Sequence, residues 1–317
     1  MEESNKKKLN SAYYEITLRE LFYVLFNEKK IIVSITAFAS IFVVIYSLLL
    51  PNVYESKAIL VPVDLPSSIS SSLNGYSNLA GLAGINLPSS NDGANSQKAI
   101  KKISTLSFFE NNIYTKIYLP DLMAIKSWSP KTNKISYDQK IYDIDTNAWV
   151  RDYDYPRKQI PTAQESFRLF QEEHLNVSED QLTGFVTISI KHQSPFIAKT
   201  WLELIINEVN SFYRQRDKIE SETASKYLNQ QISMTGFSEI KQVLAQLLQE
   251  ETKKLALIEA REFYVFEYID PPAEMELKSY PARALICILG ALLGGILSVI
   301  YVLIRHYFFI DKASKST

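Results

Sequence analysis

Two long uncharged apolar runs lie near the ends of the chain, at residues 31–50 and 284–304. They contain twenty and twenty-one residues, and each is flanked by Lys or Arg. At a rise of about 1.5 Å per residue, a helix of either run spans about 30 Å, the thickness of a bilayer's hydrocarbon core. A buried helix of a soluble protein rarely runs this long without a polar stripe. The pattern therefore predicts an integral membrane protein with two transmembrane helices.

The flanking basic residues predict the orientation of both helices. Six Lys and Arg residues precede the first run, and three lie in the 13-residue tail after the second. Basic flanks stay on the cytoplasmic side, so residues 1–30 and 305–317 are predicted to be cytoplasmic and residues 51–283 exported. The long leader, and the sequence PNVY directly after the first run, argue against a cleaved signal peptide.

A short amphipathic helix is predicted before the first run. Residues 17–20 (TLRE) have the form of a capping box, and apolar residues follow at helical spacing as far as Phe26. Two interpretations stay open. The segment lies on the inner leaflet as it leads into the membrane, or it extends the transmembrane helix.

The exported segment alternates between strand and helix patterns. Strands are predicted at residues 53–63, 185–191 and 262–269, and helices at about 96–117 and 162–174, the latter opening with the capping box TAQE. Residues 66–97 are rich in Ser, Gly and Asn and are expected to form a loop, whereas residues 128–160 are irregular and aromatic. Strands separated by helices predict a mixed α/β base domain, whose first and last strands connect directly to the two membrane helices.

A long helical arm is predicted at about residues 194–262. Its apolar stripe begins after Ser194-Pro195, thins beyond Phe212 and resumes at Ile240. If continuous, the arm approaches 100 Å, and Gly236 is the point at which it would bend. An arm of that length needs neighbours to bury its stripes, which suggests self-association.

Composition and motifs favour a protein without catalytic activity. The 34 Lys and Arg nearly cancel the 35 Asp and Glu, which argues against nucleic acid as a partner. Cys287 is the only cysteine, so an intrachain disulfide is impossible. The sequence contains no phosphate-binding glycine loop, no G-x-S-x-G motif and no Cys/His pair at metal-ligand spacing, and its three histidines are far apart along the chain. No cofactor or metal is expected.

The aromatic region carries two weaker signals. Asp143-Ile-Asp145 and Asp152-Tyr-Asp154 resemble the D-x-D of some glycosyltransferases, but nucleotide sugars are cytoplasmic, and solvated loop aspartates explain the pattern better. Among six aromatic residues within positions 128–155, Trp128, Trp149 and Tyr153 are candidate glycan contacts, because exposed rings stack on sugar faces. The alternative is that these rings pack a small irregular subdomain.

The second apolar run contains a G-x-x-x-G motif, Gly290 to Gly294, with Gly295 adjacent. Glycines at this spacing let another helix approach closely. The partner is predicted to be either the first membrane helix, which has Thr36 and Ser40 at matching spacing, or another subunit.

In their order and spacing, the motif ITLREL at residues 16–21, the residues Pro51, Tyr54, Glu55, Ser56 and Ala58 after the first apolar run, and the stretch from Tyr227 to Pro271 resemble the Wzz-type polysaccharide co-polymerases. The resemblance runs from about residue 16 to 304, includes the segment LAGLAGINL at residues 79–87, and is densest between residues 227 and 271. The motif residues carried over to this chain are Tyr54, Glu55, Asp270, Pro271, Pro272 and Pro281. Residues 274–280 lack the regularly spaced prolines usual in the family.

The resemblance implies a non-enzymatic regulator of lipopolysaccharide O-antigen chain length in the Gram-negative inner membrane. It implies a homo-oligomeric ring with a periplasmic α/β base and long helices, acting with the Wzy polymerase on lipid-linked polysaccharide. A regulator or export adaptor for exopolysaccharide, capsule or enterobacterial common antigen is the alternative. A two-span receptor would need a cytoplasmic output module, for which neither tail has room. A membrane-anchored glycan enzyme would need a convergent acid/base pair.

Overall fold

The computed structural model describes residues 18–63 and 94–306, which divide between two compact units. The chain before residue 53 and after residue 278 forms the first unit, and residues 53–278 form the second. The LAGLAGINL segment at residues 79–87 lies outside the described residues, as do residues 1–17 and 307–317 of the predicted cytoplasmic segments.

Among the residues that the structure describes, the first unit contains three helices: α1 (Leu18–Asn27), α2 (Lys29–Leu49) and α9 (Arg283–Arg305). The two predicted apolar helices near the ends of the chain are therefore confirmed, and both are long and apolar enough to cross a bilayer. Hydrogen bonds continue across Glu28, whose amide donates to Val24 and whose carbonyl accepts from Ile32. Helix α1 thus continues α2 with one irregular residue, which agrees with the interpretation of α1 as an extension of the apolar helix.

The second unit is built on a four-stranded antiparallel sheet with the strand order β6-β7-β1-β8. The strands are β1 (Tyr54–Pro62), β6 (Leu175–Glu179), β7 (Val186–His192) and β8 (Phe266–Asp270). Alternate residues of the two central strands face the core, where Ala58 pairs with Ile188 and Leu60 pairs with Val186. The three predicted strands are confirmed, although the last begins four residues later than expected. The sequence analysis missed β6.

Helices cover the buried face of this sheet and connect its strands. They are α3 (Ala94–Ile103), α4 (Leu106–Phe108) with a π-helical turn (Phe109–Ile113), α5 (Leu119–Met123), α6 (Ala163–Leu169) with a π-helical turn (Phe170–His174), and α7 (Pro195–Met234). On α7, buried apolar residues recur every three or four positions at Ala198, Trp201, Leu202, Ile205, Ile206 and Val209. The predicted mixed α/β architecture with a long helix is confirmed.

The helix predicted at residues 96–117 is interrupted at Thr105. Its side-chain oxygen accepts a hydrogen bond from the Phe108 amide, which starts a new helix there. Thr162 caps α6 as predicted, by accepting from the Glu165 amide. The Glu165 carboxylate, however, pairs with Arg151, so the reciprocal half of the predicted capping box is replaced by an ion pair.

The aromatic region is more regular than predicted. It contains two hairpins, β2 (Ile125–Ser129) with β3 (Lys134–Tyr137) and β4 (Tyr142–Asp143) with β5 (Ala148–Trp149). Their turns place Asn133 and Asn147 at positive φ, a conformation that Asn tolerates better than most residues.

The arm is a helical hairpin rather than one continuous helix. Helix α7 ends at Met234, and α8 (Ser238–Ala260) folds back along it after a short connection containing Gly236. The 40 residues of α7 span about 60 Å. Leu244 and Leu247 of α8 pack with Leu228 of α7, so the second apolar stripe is buried within the same chain. The alternative of a continuous helix approaching 100 Å is therefore wrong, because the bend at Gly236 reverses the chain direction.

Candidate functional site

The helical arm is joined to the sheet by one buried amide side chain. Asn210 lies on α7 and is only 7% exposed. Its Oδ1 accepts hydrogen bonds from the amides of Val265 (2.7 Å) and Phe266 (2.9 Å), and its Nδ2 donates to the Phe266 carbonyl (3.1 Å). This single side chain thereby satisfies three backbone groups where the chain leaves α8 and enters β8. Sequence reasoning missed it, because one Asn within a helical pattern carries no distinguishing signal.

A second set of polar contacts fixes the base of the hairpin. The Asp217 carboxylate, 5% exposed, accepts from the Tyr264 hydroxyl at 2.6 Å and pairs with Arg216 at 2.7 Å. Burial, followed by the hydrogen bond to Asp217, raises the pKa of Tyr264, so its hydroxyl stays a donor. One Nη of Arg214 donates to the carbonyls of Arg261 and Glu262 just beyond α8, where a cation complements the helix C-terminus.

In the first unit, the predicted glycine motif lies at the contact between α9 and α2. A Cβ atom added at Gly290 would lie 2.5 Å from Val43 Cγ2, and one at Gly294 would lie 2.7 Å from the Ala39 Cβ. At Gly295, the nearest atom would be 4.0 Å away. Close backbone approach therefore depends on the first two glycines and not on the third.

One hydrogen bond crosses the same helix contact. The hydroxyls of Thr36 and Ser298 lie 3.2 Å apart, and Ser298 is fully buried. Of the two predicted partners for the glycine face, the structure presents the first apolar helix of the same chain. A role for this face between subunits stays a prediction.

Two of the three candidate glycan contacts pack against neighbouring rings. Trp128 meets Tyr54 edge-on at 5.3 Å between ring centroids, and its Nε1 donates to Asn133 Oδ1 at 2.8 Å. Trp149 meets Tyr142 at 5.2 Å. These contacts match the packing alternative for both tryptophans.

Tyr142 in turn belongs to a cluster of hydrogen-bonded phenols. Its hydroxyl lies 2.7 Å from that of Tyr118, while the Tyr137 hydroxyl donates to Asp121 at 2.6 Å. Burial raises the pKa of Tyr118 to about 12, so this hydroxyl stays protonated at neutral pH. By contrast, Tyr153, the third candidate contact, is 55% exposed, so its ring is accessible to a ligand.

The motif residues of the second unit lie at the start of β1 and at the end of β8. Tyr54 and Glu55 are buried at the start of β1, whereas Asp270 ends β8 and pairs with the middle of β1. Pro272 is buried in the segment that follows, which the Ser56 hydroxyl fastens by donating to the Ala273 carbonyl at 2.8 Å. Pro271 is exposed, and Pro281 belongs to the first unit.

Two histidines that are separated in sequence meet in the core. The rings of His174 and His192 lie 5.7 Å apart, and both contact Trp201. His192 Nδ1 accepts from the Ser194 amide at 2.9 Å, so its Nε2 carries the proton and donates to the Asp121 carbonyl at 3.1 Å. Burial lowers the pKa of His192 to about 4 and lowers that of His174 as well. Both rings are therefore neutral structural groups.

The two D-x-D segments are surface features. The Asp143 carboxylate accepts from the Asp145 amide and the Thr146 hydroxyl, which lowers its pKa and engages its oxygens locally. Asp152 and Asp154 are exposed. Within residues 18–63 and 94–306, no group of three or more His, Cys, Asp or Glu side chains is arranged to hold a metal ion.

The chain is similar to a full-length bacterial polysaccharide co-polymerase, with 15% identity, a TM-score of 0.39, and coverage of 92% of this chain and 98% of the other. It is also similar to a fragment of WzzB, a polysaccharide co-polymerase from Salmonella Typhimurium, with 15% identity, a TM-score of 0.31, and coverage of 72% and 100%. No curated protein sequence matches the chain.

The comparison with sequence families is more specific. The family described as Wzz, chain length determinant protein, matches residues 14–110. The resemblance to Wzz-type polysaccharide co-polymerases is thereby confirmed. The matched segment covers less than a third of the 317 residues of the chain.

Proposed function

We propose that this protein sets the chain length of lipopolysaccharide O-antigen as a non-enzymatic, homo-oligomeric scaffold in the Gram-negative inner membrane. In this proposal both termini are cytoplasmic and the α/β unit is periplasmic. The partners are further copies of the chain, the Wzy polymerase and its lipid-linked polysaccharide. The match of residues 14–110 to the chain length determinant family carries the proposal.

The second unit has the features that a scaffold requires. Its arm is a two-helix hairpin fixed to the sheet through Asn210 and the Asp217–Tyr264 pair. Large apolar side chains stay exposed on it, including Met234 (68%) and Phe237 (70%) next to the bend of the hairpin. Exposed apolar side chains of this size favour contact with another protein surface.

The test is deletion of the gene and complementation with the full chain, followed by electrophoretic separation of the host's surface polysaccharides by size. We expect deletion to remove the preferred O-antigen length while polymerisation continues, and complementation to restore it. Loss of all polymer would contradict the proposal and favour an enzyme. A changed length distribution in exopolysaccharide, capsule or enterobacterial common antigen alone would assign the protein to that polymer instead.

Orientation and assembly need separate measurements. A reporter that is active only in the cytoplasm is expected to be active when it is fused after Thr317. Crosslinking of the full chain in membranes is expected to give a ladder of multimers. An exported reporter would refute the topology, and a purely monomeric pattern would refute the scaffold.

The candidate glycan contacts make the proposal specific at the level of residues. Tyr153→Ala is expected to shift the polymer length distribution, because its exposed ring is available to stack on sugar. Trp128→Ala and Trp149→Ala test the same idea at rings that pack against other rings. Because their removal also affects packing, the fold of each variant is compared with that of the wild type by near-ultraviolet circular dichroism. Unchanged glycan length in all three folded variants would remove the aromatic region from the function.

A further inference from the structure

A groove of about 750 Å³ opens on the surface of the second unit. This volume lies within the range of about 300–1,000 Å³ that is typical of sites for small molecules. Residues near the start of α4, the loop after β5 and the first turns of α6 form its walls. The side chains that line it include Glu110, Arg157, Gln164, Phe167, Arg168 and Gln171.

Two arginines and two glutamates line the groove, and one of the glutamates pairs with a third arginine, Arg151. The Glu165 carboxylate is already neutralised by Arg151, which holds it through two hydrogen bonds of 2.5 and 2.7 Å. The guanidinium groups of Arg157 and Arg168 are exposed, and neither forms an ion pair within 4 Å in the part of the chain that the structure describes. Glu110 is the remaining carboxylate on the wall. The charges of Arg157 and Arg168 also lower the pKa of Glu165, so both lie near it. With Arg151 included, three cationic side chains accompany the two carboxylates.

The types of side chain in the groove suit one class of ligand. A guanidinium group binds a carboxylate through two parallel hydrogen bonds, and it does so better than an ammonium group. Gln164 and Gln171 are exposed amides that can both donate to and accept from hydroxyls. Tyr155, the residue before Pro156 of the groove wall, is 96% exposed, so its ring is free to stack on a sugar face.

We propose that this groove binds a segment of acidic saccharide, with a sugar carboxylate on Arg157 and Arg168 and sugar hydroxyls on Gln164 and Gln171. The inference rests on the proposed function, since that function supplies glycan as the ligand class. Beyond that function, the inference specifies where on the second unit the glycan binds and that the bound glycan is negatively charged. A groove open to solvent lets a polymer extend beyond the bound segment on either side.

The experiment measures the affinity of the full chain, reconstituted in nanodiscs, for hexagalacturonate as the acidic probe and maltohexaose as the neutral one. We expect hexagalacturonate to bind more tightly, with an affinity that falls as salt is raised. The double variant Arg157→Ala/Arg168→Ala should weaken this binding roughly ten- to hundredfold, because it removes both charge-assisted contacts.

A matched control removes the same charge elsewhere. Lys131→Ala/Lys134→Ala changes two exposed lysines at the β2–β3 hairpin and should leave the affinity within about twofold. Near-ultraviolet circular dichroism of the variants verifies that the fold is retained.

Three results would overturn the inference: equal affinity for maltohexaose, an unchanged affinity in the arginine variant, or displacement of hexagalacturonate by equimolar inorganic phosphate. The binding assay does not depend on length control in cells. If hexagalacturonate does not bind to the groove, the deletion experiment still tests the proposed function. If deletion does not change the polymer length, the binding assay still shows whether the groove binds acidic saccharide.

Discussion

Asn210 is the side chain whose removal should most directly loosen the arm from the sheet. Asn210→Ala leaves two backbone amides, of Val265 and Phe266, and the Phe266 carbonyl without their side-chain partner. Each buried donor or acceptor that loses its hydrogen-bond partner destabilises the structure by about 1–3 kcal/mol. Because water can partly reach the three neighbouring groups, their total cost is lower than the sum of three separate losses. We therefore expect the free energy of opening at the start of β8 to fall by about 2–4 kcal/mol.

Native-state hydrogen exchange, followed by mass spectrometry on the full chain in nanodiscs, measures this loss at the residues concerned. A decrease of about 2–4 kcal/mol corresponds to exchange about 30- to 900-fold faster in peptides that contain residues 265–266. Asn207→Ala is the matched control, because Asn207 lies one turn earlier on the same helix and is exposed. It should leave exchange in these peptides within about twofold.

Equal exchange in the two variants would refute the reasoning, because it would mean that the hydrogen bonds of Asn210 contribute nothing beyond what water supplies. Faster exchange throughout the second unit would also contradict it. That outcome would show global destabilisation rather than release of the junction between α8 and β8.

The remaining predictions concern three other contacts. Gly290→Ala should destabilise the α2–α9 contact by about 1–3 kcal/mol because the new methyl group meets Val43, whereas Gly295→Ala should be neutral. Thermal unfolding in detergent measures the stability of both variants. If Val43→Ala does not rescue Gly290→Ala, the steric explanation is wrong. Folded His192 has a pKa of about 4 against 6.5 when unfolded, so the stability due to its neutral form is complete above pH 6.5 and is lost as the pH falls towards 4, by at most about 3 kcal/mol. His192→Asn, which keeps an acceptor for the Ser194 amide, should flatten this part of the curve and leave the smaller slope due to His174; an unchanged slope would assign the effect to other groups. Leu247→Ala should cost about 2–4 kcal/mol by opening a cavity between the arm helices, while exposed Gln249→Ala should cost almost nothing; similar denaturation midpoints would show that the arm helices are not packed as described.

The sequence predicted the elements of this fold better than their connections. The length of the uncharged runs identified both apolar helices, and the alternation of apolar and polar residues identified β7, because each signal is a local consequence of burial. The strand at residues 175–179 lies at the edge of the sheet, with only alternate side chains partly covered, so its pattern is weak. The reversal at Gly236 was also ambiguous, because helical periodicity is the same for a bent helix and for a hairpin.

The candidate site shows a different limit of sequence reasoning. Exposed aromatic rings and packed ones have the same residue types, so Trp128 and Tyr153 were indistinguishable before their neighbours were known. The groove that contains Arg157 and Arg168 could not be predicted from the sequence, because its walls come from three separate segments. Which arginine pairs directly with Glu165 depends on where the Glu165 side chain points, and no spacing rule predicts that it is Arg151.

The thinning of the apolar stripe beyond Phe212 has a structural meaning that the sequence left hidden. Although this stretch has few apolar residues, its Asp217 and Ser221 are buried. Apolar contacts tolerate sliding between two helices. The hydrogen bond to Asp217 of α7 from Tyr264, which lies between α8 and β8, forms in one position only. The Lys218–Glu259 pair joins the two helices at the same level. We infer that polar pairs at the base set the register of the hairpin and that the leucines beyond them bury its length, so the arm keeps one direction relative to the sheet.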